Sequence, residues 1–262
     1  MNRGRLKVGV FKFASCDGCQ LVFLNAEEDL LPLARRVEFA YFPEARSRMK
    51  PGPYDVAFVE GSVSTPEHAE RILKIRASSR LLVCMGACAT AGGIQALRNW
   101  SRAAEYAGRV YPRPEYIETL ATATPISQHV RVDLELHGCP IDREQLFEVL
   151  TQLLQGASVQ LPSHSLCLEC KRRGTVCGLV ARGIPCMGPA TRTGCGALCP
   201  AYARDCYACF GPSDDPNPEA LARCFEDLGL SREELVRRFR SFTGWSPAFR
   251  KVSDAYEAAP EE

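Results

Sequence analysis

Between Cys167 and Cys209 the chain carries eight cysteines among many Gly and Pro residues, with no apolar period of 3.6 or 2 running through them. Such a run buries too little apolar surface to offset the entropy lost on ordering it, so metal rather than a hydrophobic core is expected to hold it together. Cys16, Cys19, Cys84, Cys88, Cys139 and Cys224 bring the total to 14 in 262 residues. Cysteine density of this kind has three common causes: disulfides, structural zinc and iron–sulfur clusters. Disulfides belong to exported chains. Here Met1 to Leu6 lead straight into a strand-like run, with no apolar export segment and no twin arginine, so a cytoplasmic location is expected. Thiols stay reduced there, which leaves metal.

Charge and hydropathy narrow the class further. With 32 basic against 31 acidic side chains the net charge is +1, which gives no electrostatic footprint for nucleic acid. No apolar run approaches the roughly 20 residues that cross a bilayer, so no membrane span is expected.

The texture divides the chain at residues 1–155 and 156–262. In the first part Leu6–Phe13, Val37–Phe42, Val56–Glu60 and Leu81–Met85 are short apolar runs suited to buried parallel strands. Amphipathic stretches lie between or after them: Gln20–Leu33, Pro66–Ser78 with Thr65 as N-cap, and Asp142–Leu154. This alternation predicts an α/β fold with a doubly wound parallel sheet. The second part is irregular up to Cys209, then polar and Pro-rich, then helical over Glu219–Leu228 and Glu233–Phe242, the latter opened by a capping box of Ser231 and Glu234.

Four cysteines fall where strands of the first part should end. Cys16 and Cys19 form a C-x-x-C after the first strand, Cys88 follows the fourth in a Gly-rich loop, and Cys139 precedes the last helix in Gly138-Cys139-Pro140. Ligands of open α/β sheets bind outside the carboxyl ends of strands, so these loops can converge four thiolates on one cluster, with Gly92 and Gly93 permitting close backbone approach. A lone C-x-x-C after a first strand is also a thioredoxin-like redox signal. Phosphate binding has no support, because neither G-x-x-x-x-G-K-[ST] nor G-x-G-x-x-G occurs in this part. Cys84, inside a strand, reads as a small core residue.

In the second part Cys167, Cys170, Cys177, Cys186, Cys195, Cys199, Cys206 and Cys209 suit two four-ligand sites. Zinc accepts the same count, but the spacings do not repeat as paired zinc knuckles do, and Cys199-Pro200 resembles bacterial ferredoxin runs. Six basic against two acidic side chains in this run would favour an anionic cluster; a solvated basic face is the bland alternative. His164 stands three residues before Cys167 and is an alternative ligand in place of Cys170. His68, His129 and His137 read as structural or surface residues, and Cys224 as a buried thiol.

Together, Cys16-Asp17-Gly18-Cys19, the segment Gly86 to Gly93, Gly138-Cys139-Pro140 and Glu60 to Thr65 resemble the motifs of nickel–iron hydrogenase small subunits. The cysteine-rich part resembles the cytosolic branch: sulfhydrogenase delta subunits and the iron–sulfur subunits of methyl-viologen-reducing hydrogenases. The resemblance implies a flavodoxin-like domain over 1–155 with a proximal 4Fe–4S cluster on Cys16, Cys19, Cys88 and Cys139. It implies a small irregular ferredoxin-type iron–sulfur domain with terminal helices over 156–262. There a medial 4Fe–4S cluster would sit on Cys195, Cys199, Cys206 and Cys209, and a distal one on Cys167, Cys170, Cys177 and Cys186. Exported members of the family carry His-x-x-Cys at the distal cluster, and many lack a fourth medial cysteine; here Cys167 and Cys170 align as C-x-x-C, and Cys199 supplies the fourth medial cysteine. Ile141 stands where a second proline is common, a difference of packing rather than of ligation.

The resemblance further implies an oxidoreductase subunit without catalytic acid, base or nucleophile of its own, since the dihydrogen chemistry belongs to a nickel–iron large subunit. Its other expected partners are flavin-containing or ferredoxin-like electron-transfer subunits. Two alternatives stay open: a quinone-reductase subunit of the respiratory complex I type, and a zinc-stabilised scaffold without redox chemistry.

Overall fold

The apolar runs of the first part form a five-stranded parallel sheet in the computed structural model, which describes residues 5–258. Met1 to Gly4, read above for an export signal, lie outside the described residues. The elements in chain order are β1 (Leu6–Lys12), α1 (Gly18–Leu24), α2 (Glu27–Arg36), β2 (Val37–Tyr41), β3 (Tyr54–Glu60), α3 (Pro66–Ala77), β4 (Ser79–Met85), α4 (Gly86–Ala91), α5 (Ala103–Val110), β5 (Leu134–Leu136) and α6 (Arg143–Gln155). Strand order is β2-β1-β3-β4-β5, the flavodoxin-like order, whose direction of winding reverses between β1 and β3. Lys12 pairs with Glu60, Glu60 with Met85 and Met85 with Leu136. Four strands therefore end abreast, and the loops that leave them share one edge of the sheet.

Both faces of the sheet are buried, as the unbroken apolar runs require. Phe23 of α1 packs edge-on against Phe39, Phe42 and Phe58. Elsewhere Phe11, Phe13, Val59, Ile72 and Leu82 share a core with Ile126. Thr65 caps α3 by accepting from the His68 N–H, and Asp142 caps α6 by accepting from the Gln145 N–H.

Two elements differ from the sequence expectation. The helix expected over Gln20–Leu33 is two helices, with Asn25 closing the first; Asn competes with helical bonding through its own side chain. The fifth strand, Leu134–Leu136, is a three-residue edge strand centred on Glu135, too short and too polar to give a strand signal.

The chain divides into two compact units, Met1–Val159 and Gln160–Glu262. The second holds α7 (Cys167–Arg172), α8 (Gly178–Arg182), α9 (Leu198–Ala201), α10 (Pro218–Asp227), α11 (Arg232–Phe239) and α12 (Pro247–Ala258). The capping box of Ser231 and Glu234 is present at α11. The expectation that metal rather than a hydrophobic core holds the run Cys167–Cys209 together is corrected in part. Phe225, Leu235, Phe239, Phe249 and Val252 of the last three helices are buried together with Met187, Ala190, Ala197 and Cys206 of the cysteine-rich run. The run has no period of its own because its core partners arrive later in the sequence. Among the described residues no helix is long and apolar enough to cross a membrane.

Candidate metal centres

The edge where β1, β3, β4 and β5 end abreast gathers the first set of thiols. Two residue pairs tie its loops together. The Ala87 N–H donates to Gly138 O at 2.7 Å, joining the Cys88 loop to the Cys139 loop. Gln95, on the segment that follows Cys88, donates its side-chain N–H to Ala14 O at 3.0 Å, joining that segment to the one carrying Cys16 and Cys19. Cys19 is buried, Cys88 and Cys139 are half-buried and Cys16 is exposed. No disulfide joins any of the 14 cysteines.

Two glycines leave room for sulfur. A Cβ on Gly86 would lie 2.4 Å from Cys19 Sγ, and one on Gly93 would lie 2.6 Å from Cys88 Sγ. Gly86 has φ +81° and Gly93 φ +65°, so both also hold a backbone conformation that side chains resist.

Glu60 is the member of this site that sequence reasoning passed over. It ends β3, is 2% exposed, and accepts from the Cys19 N–H at 3.1 Å. Burial raises its carboxyl pKa, against the hydrogen bonds from Gln20 and Cys19. A carboxylate closing an otherwise apolar central strand, Val56-Ala57-Phe58-Val59-Glu60, was the available signal.

The second unit brings Cys167, Cys186 and Cys206 around Gly188: a Cβ there would lie 3.4 Å from Cys186 Sγ, 3.9 Å from Cys167 Sγ and 3.9 Å from Cys206 Cβ. The Cys206 N–H donates to Cys186 Sγ at 3.3 Å, so Cys186 touches members of both groups of four named above. Glu169 accepts from the Gly194 N–H at 3.0 Å and the Ala197 N–H at 2.9 Å, fastening the Cys167–Cys170 turn to the Cys195–Cys199 loop. His164 has a buried Nε2 without a hydrogen-bond partner among the described residues.

Three loops share a backbone device. Asp17, Ala197 and Ala208 have φ of 67°, 55° and 58°, and each lies inside a short cysteine loop: 16–19, 195–199 and 206–209. A left-handed residue costs about 1–2 kcal/mol, and it turns neighbouring N–H groups toward one concavity. One such group meets sulfur. The Ala208 N–H donates to Cys206 Sγ at 3.4 Å, while the Ala197 N–H goes to Glu169.

Burial pushes the thiol pKa up at Cys19, Cys139, Cys167, Cys195 and Cys206, and to about 11 at Cys88 and Cys170, with neighbouring cysteines adding to it at most of these. Crowded, buried sulfurs resist losing their protons, so any metal bound by them would have to displace protons. Among the described residues no three His, Cys, Asp or Glu side chains draw together to the spacing of a single metal ion. Cys84 is fully buried inside β4, with its pKa raised by burial and by Glu135 rather than by another thiol. Cys224, expected to be buried, is half-buried on α10.

Comparison with known proteins matches residues 16–153 to the family of the NADH ubiquinone oxidoreductase 20 kDa subunit. Sulfhydrogenase 2 subunit delta of Pyrococcus furiosus is 36% identical over 92% of this chain and 100% of its own length. A subunit of the F420-non-reducing hydrogenase of Methanocaldococcus jannaschii is 31% identical over 80% of this chain and 83% of its own. Among solved structures, a chain of an NAD+-reducing [NiFe]-hydrogenase in the H2-reduced state superposes with a TM-score of 0.56 at 31% identity, covering 60% of this chain and 96% of that one.

Proposed function

Because the chain belongs to the family of the NADH ubiquinone oxidoreductase 20 kDa subunit and, within it, to the nickel–iron hydrogenase small subunits, we propose that it relays electrons through three 4Fe–4S clusters. Its reading as an electron-transferring subunit of a hydrogenase complex rests on those relatives; the cluster count and ligand sets are our proposal. Cys16, Cys19, Cys88 and Cys139 hold the proximal cluster, Cys195, Cys199, Cys206 and Cys209 the medial one, and Cys167, Cys170, Cys177 and Cys186 the distal one. The partners are a large subunit bearing the nickel–iron centre and a flavin- or iron–sulfur-bearing acceptor. The observation that carries the reading is the row Lys12–Glu60–Met85–Leu136, whose following loops bring four thiols to one sheet edge with glycine gaps beside two of the sulfurs.

Such clusters, when bound, supply one-electron transfer. The chain's own residues supply the setting. Gly86 and Gly93 leave the sulfurs of Cys19 and Cys88 unobstructed. Glu60 holds the Cys19 N–H, and Gln95 holds Ala14, at the start of the Cys16 loop. The Ala208 N–H aimed at Cys206 stabilises thiolate charge that burial disfavours. No residue of these sites is needed as acid, base or nucleophile.

The quinone-reductase reading has one observation in its favour, the name of the family matched over residues 16–153. That match stops before the eight cysteines of the second unit, whereas the match to sulfhydrogenase 2 subunit delta, over 92% of the chain, extends across them. The deciding experiment is anaerobic purification of the complex. About twelve irons per chain and a brown, dithionite-bleached absorption are expected for three four-iron clusters. Colourless protein carrying zinc overturns the proposal.

A further inference from the structure

The basic run of the second unit reads, in sequence, as charge compensation for anionic clusters. The structure turns most of that charge outward. Lys171, Arg172, Arg173, Arg182 and Arg204 are all exposed. The two acids of the same run face elsewhere: Glu169 is taken by the N–H groups of Gly194 and Ala197, and Asp205, next to Arg204 in the chain, is ion-paired with Arg238. The sixth cation, Arg192, pairs with Asp214 at 2.6 Å. Among the described residues no ion pair takes up the other five.

These cations are not loose. Arg173 donates to Gly196 O at 2.8 Å and Arg182 to Ala203 O at 3.3 Å, which pins both guanidinium groups along one depression of about 590 Å³ lined also by Val176 and Pro200. Arg204 lies over the Tyr207 ring, 5.8 Å from its centroid, and donates to its hydroxyl at 2.5 Å. Large apolar side chains stand out of the same segments: Val176 is 67% exposed, Val180 85%, Tyr202 74%. Of the eight cysteines from Cys167 to Cys209, Cys177, beside Val176, alone is exposed. Apolar groups interleaved with preorganised, uncompensated cations make a protein-docking surface; a surface for a bare polyanion has no use for the valines.

We propose that this face, around Arg173, Val176, Arg182 and Arg204, docks an acidic redox protein that exchanges electrons at the Cys177 end of the chain. The proposal rests on the relay reading above and adds the surface and the chemistry of the partner. Charge complementarity identifies the occupant: carboxylates on the partner would meet the cations, and its apolar centre would cover Val176, Val180 and Tyr202.

The test is binding of a labelled acidic plant-type ferredoxin to the full-length, anaerobically purified chain, at about 20 and about 200 mM salt, which changes the screening length several-fold. Wild type is expected to bind about ten-fold or more weaker at the higher salt, and the variant Arg173→Glu/Arg182→Glu/Arg204→Glu to lose a similar factor at low salt. The charge-keeping variant Arg173→Lys/Arg182→Lys/Arg204→Lys retains most of the binding, Val176→Asp/Val180→Asp loses it, and Arg35→Glu/Arg109→Glu on the first unit changes nothing. Absence of wild-type binding, binding indifferent to the triple reversal, or tighter binding of a single-stranded oligonucleotide than of ferredoxin overturns the proposal. Iron measured on the same samples separates the two readings. Iron without ferredoxin binding removes the docking face and leaves the relay; charge-dependent ferredoxin binding without iron removes the relay and keeps the face.

Discussion

Gly86 concentrates the residue-scale logic of the first site. Its position at the start of α4 needs φ +81°, and its missing Cβ leaves Cys19 Sγ where it is. Gly86→Ala meets both objections together: a backbone penalty of about 1–2 kcal/mol and a steric conflict with the sulfur. Roughly four irons per chain, one four-iron cluster, should be lost in elemental analysis, whereas Cys84→Ala should leave iron unchanged. Iron lost from the Cys84 variant and kept in the Gly86 variant would reverse the assignment of these residues. The cysteines themselves were legible in the sequence, because Cys16-x-x-Cys19 and Cys88 follow strand-like runs and Gly138-Cys139-Pro140 precedes the last helix of the unit. Glu60 was not: a single carboxylate carries no spacing, and only the pairing of β1 with β3 reveals that it faces Cys19. The contact of Cys186 with Cys206 was equally out of reach, since it joins residues 20 positions apart through a run without period.

At the scale of elements, caps were the most readable features, since they are set by two or three residues acting locally. Thr65 and Ser231 both accept from the expected N–H groups, whereas Asp142, read as the start of its helix, caps it instead. Ser231→Ala removes one half of the α11 capping box and should cost about 1 kcal/mol, read as a lowered thermal midpoint with iron content unchanged. A drop in iron with no change in midpoint would show that α11 supports the metal-bearing loops rather than its own helix. Elements defined by distant partners were harder to read. β5 exists because Val83 to Met85 offers an edge to Leu134–Leu136, not because its own three residues favour extension. α12, from Pro247 to Ala258, lies beyond the last helix expected from the sequence, and its apolar side finds a core only against α10 and α11.

For the whole molecule, the correction with most consequence concerns what holds the second unit together. Phe225, Phe239 and Phe249 are each at most 1% exposed, and three such side chains stabilise a core by about 1.5–3 kcal/mol each. Removing iron with a chelator should therefore leave most of the far-ultraviolet helical signal, while protease sites open between Cys167 and Cys209. Complete loss of helicity together with iron would mean that the terminal helices depend on metal after all. Net charge behaved in the same way: the near-neutral total concealed a local excess whose direction, outward, only the side-chain positions disclose.

The order in which the first site's loops occur along the chain has a consequence for its biogenesis. Cys16 and Cys19 leave the ribosome with β1, but Cys139 and the short β5 that precedes it come last among the sheet elements. At ordinary rates of synthesis roughly ten seconds separate them. During that interval the nascent chain offers three thiols and an unpaired β4 edge, with no fourth ligand. A cluster held by the four proposed ligands would therefore be inserted only after Cys139 has emerged, and a chain truncated before Gly138 should be recovered without iron there however well its first four strands have folded.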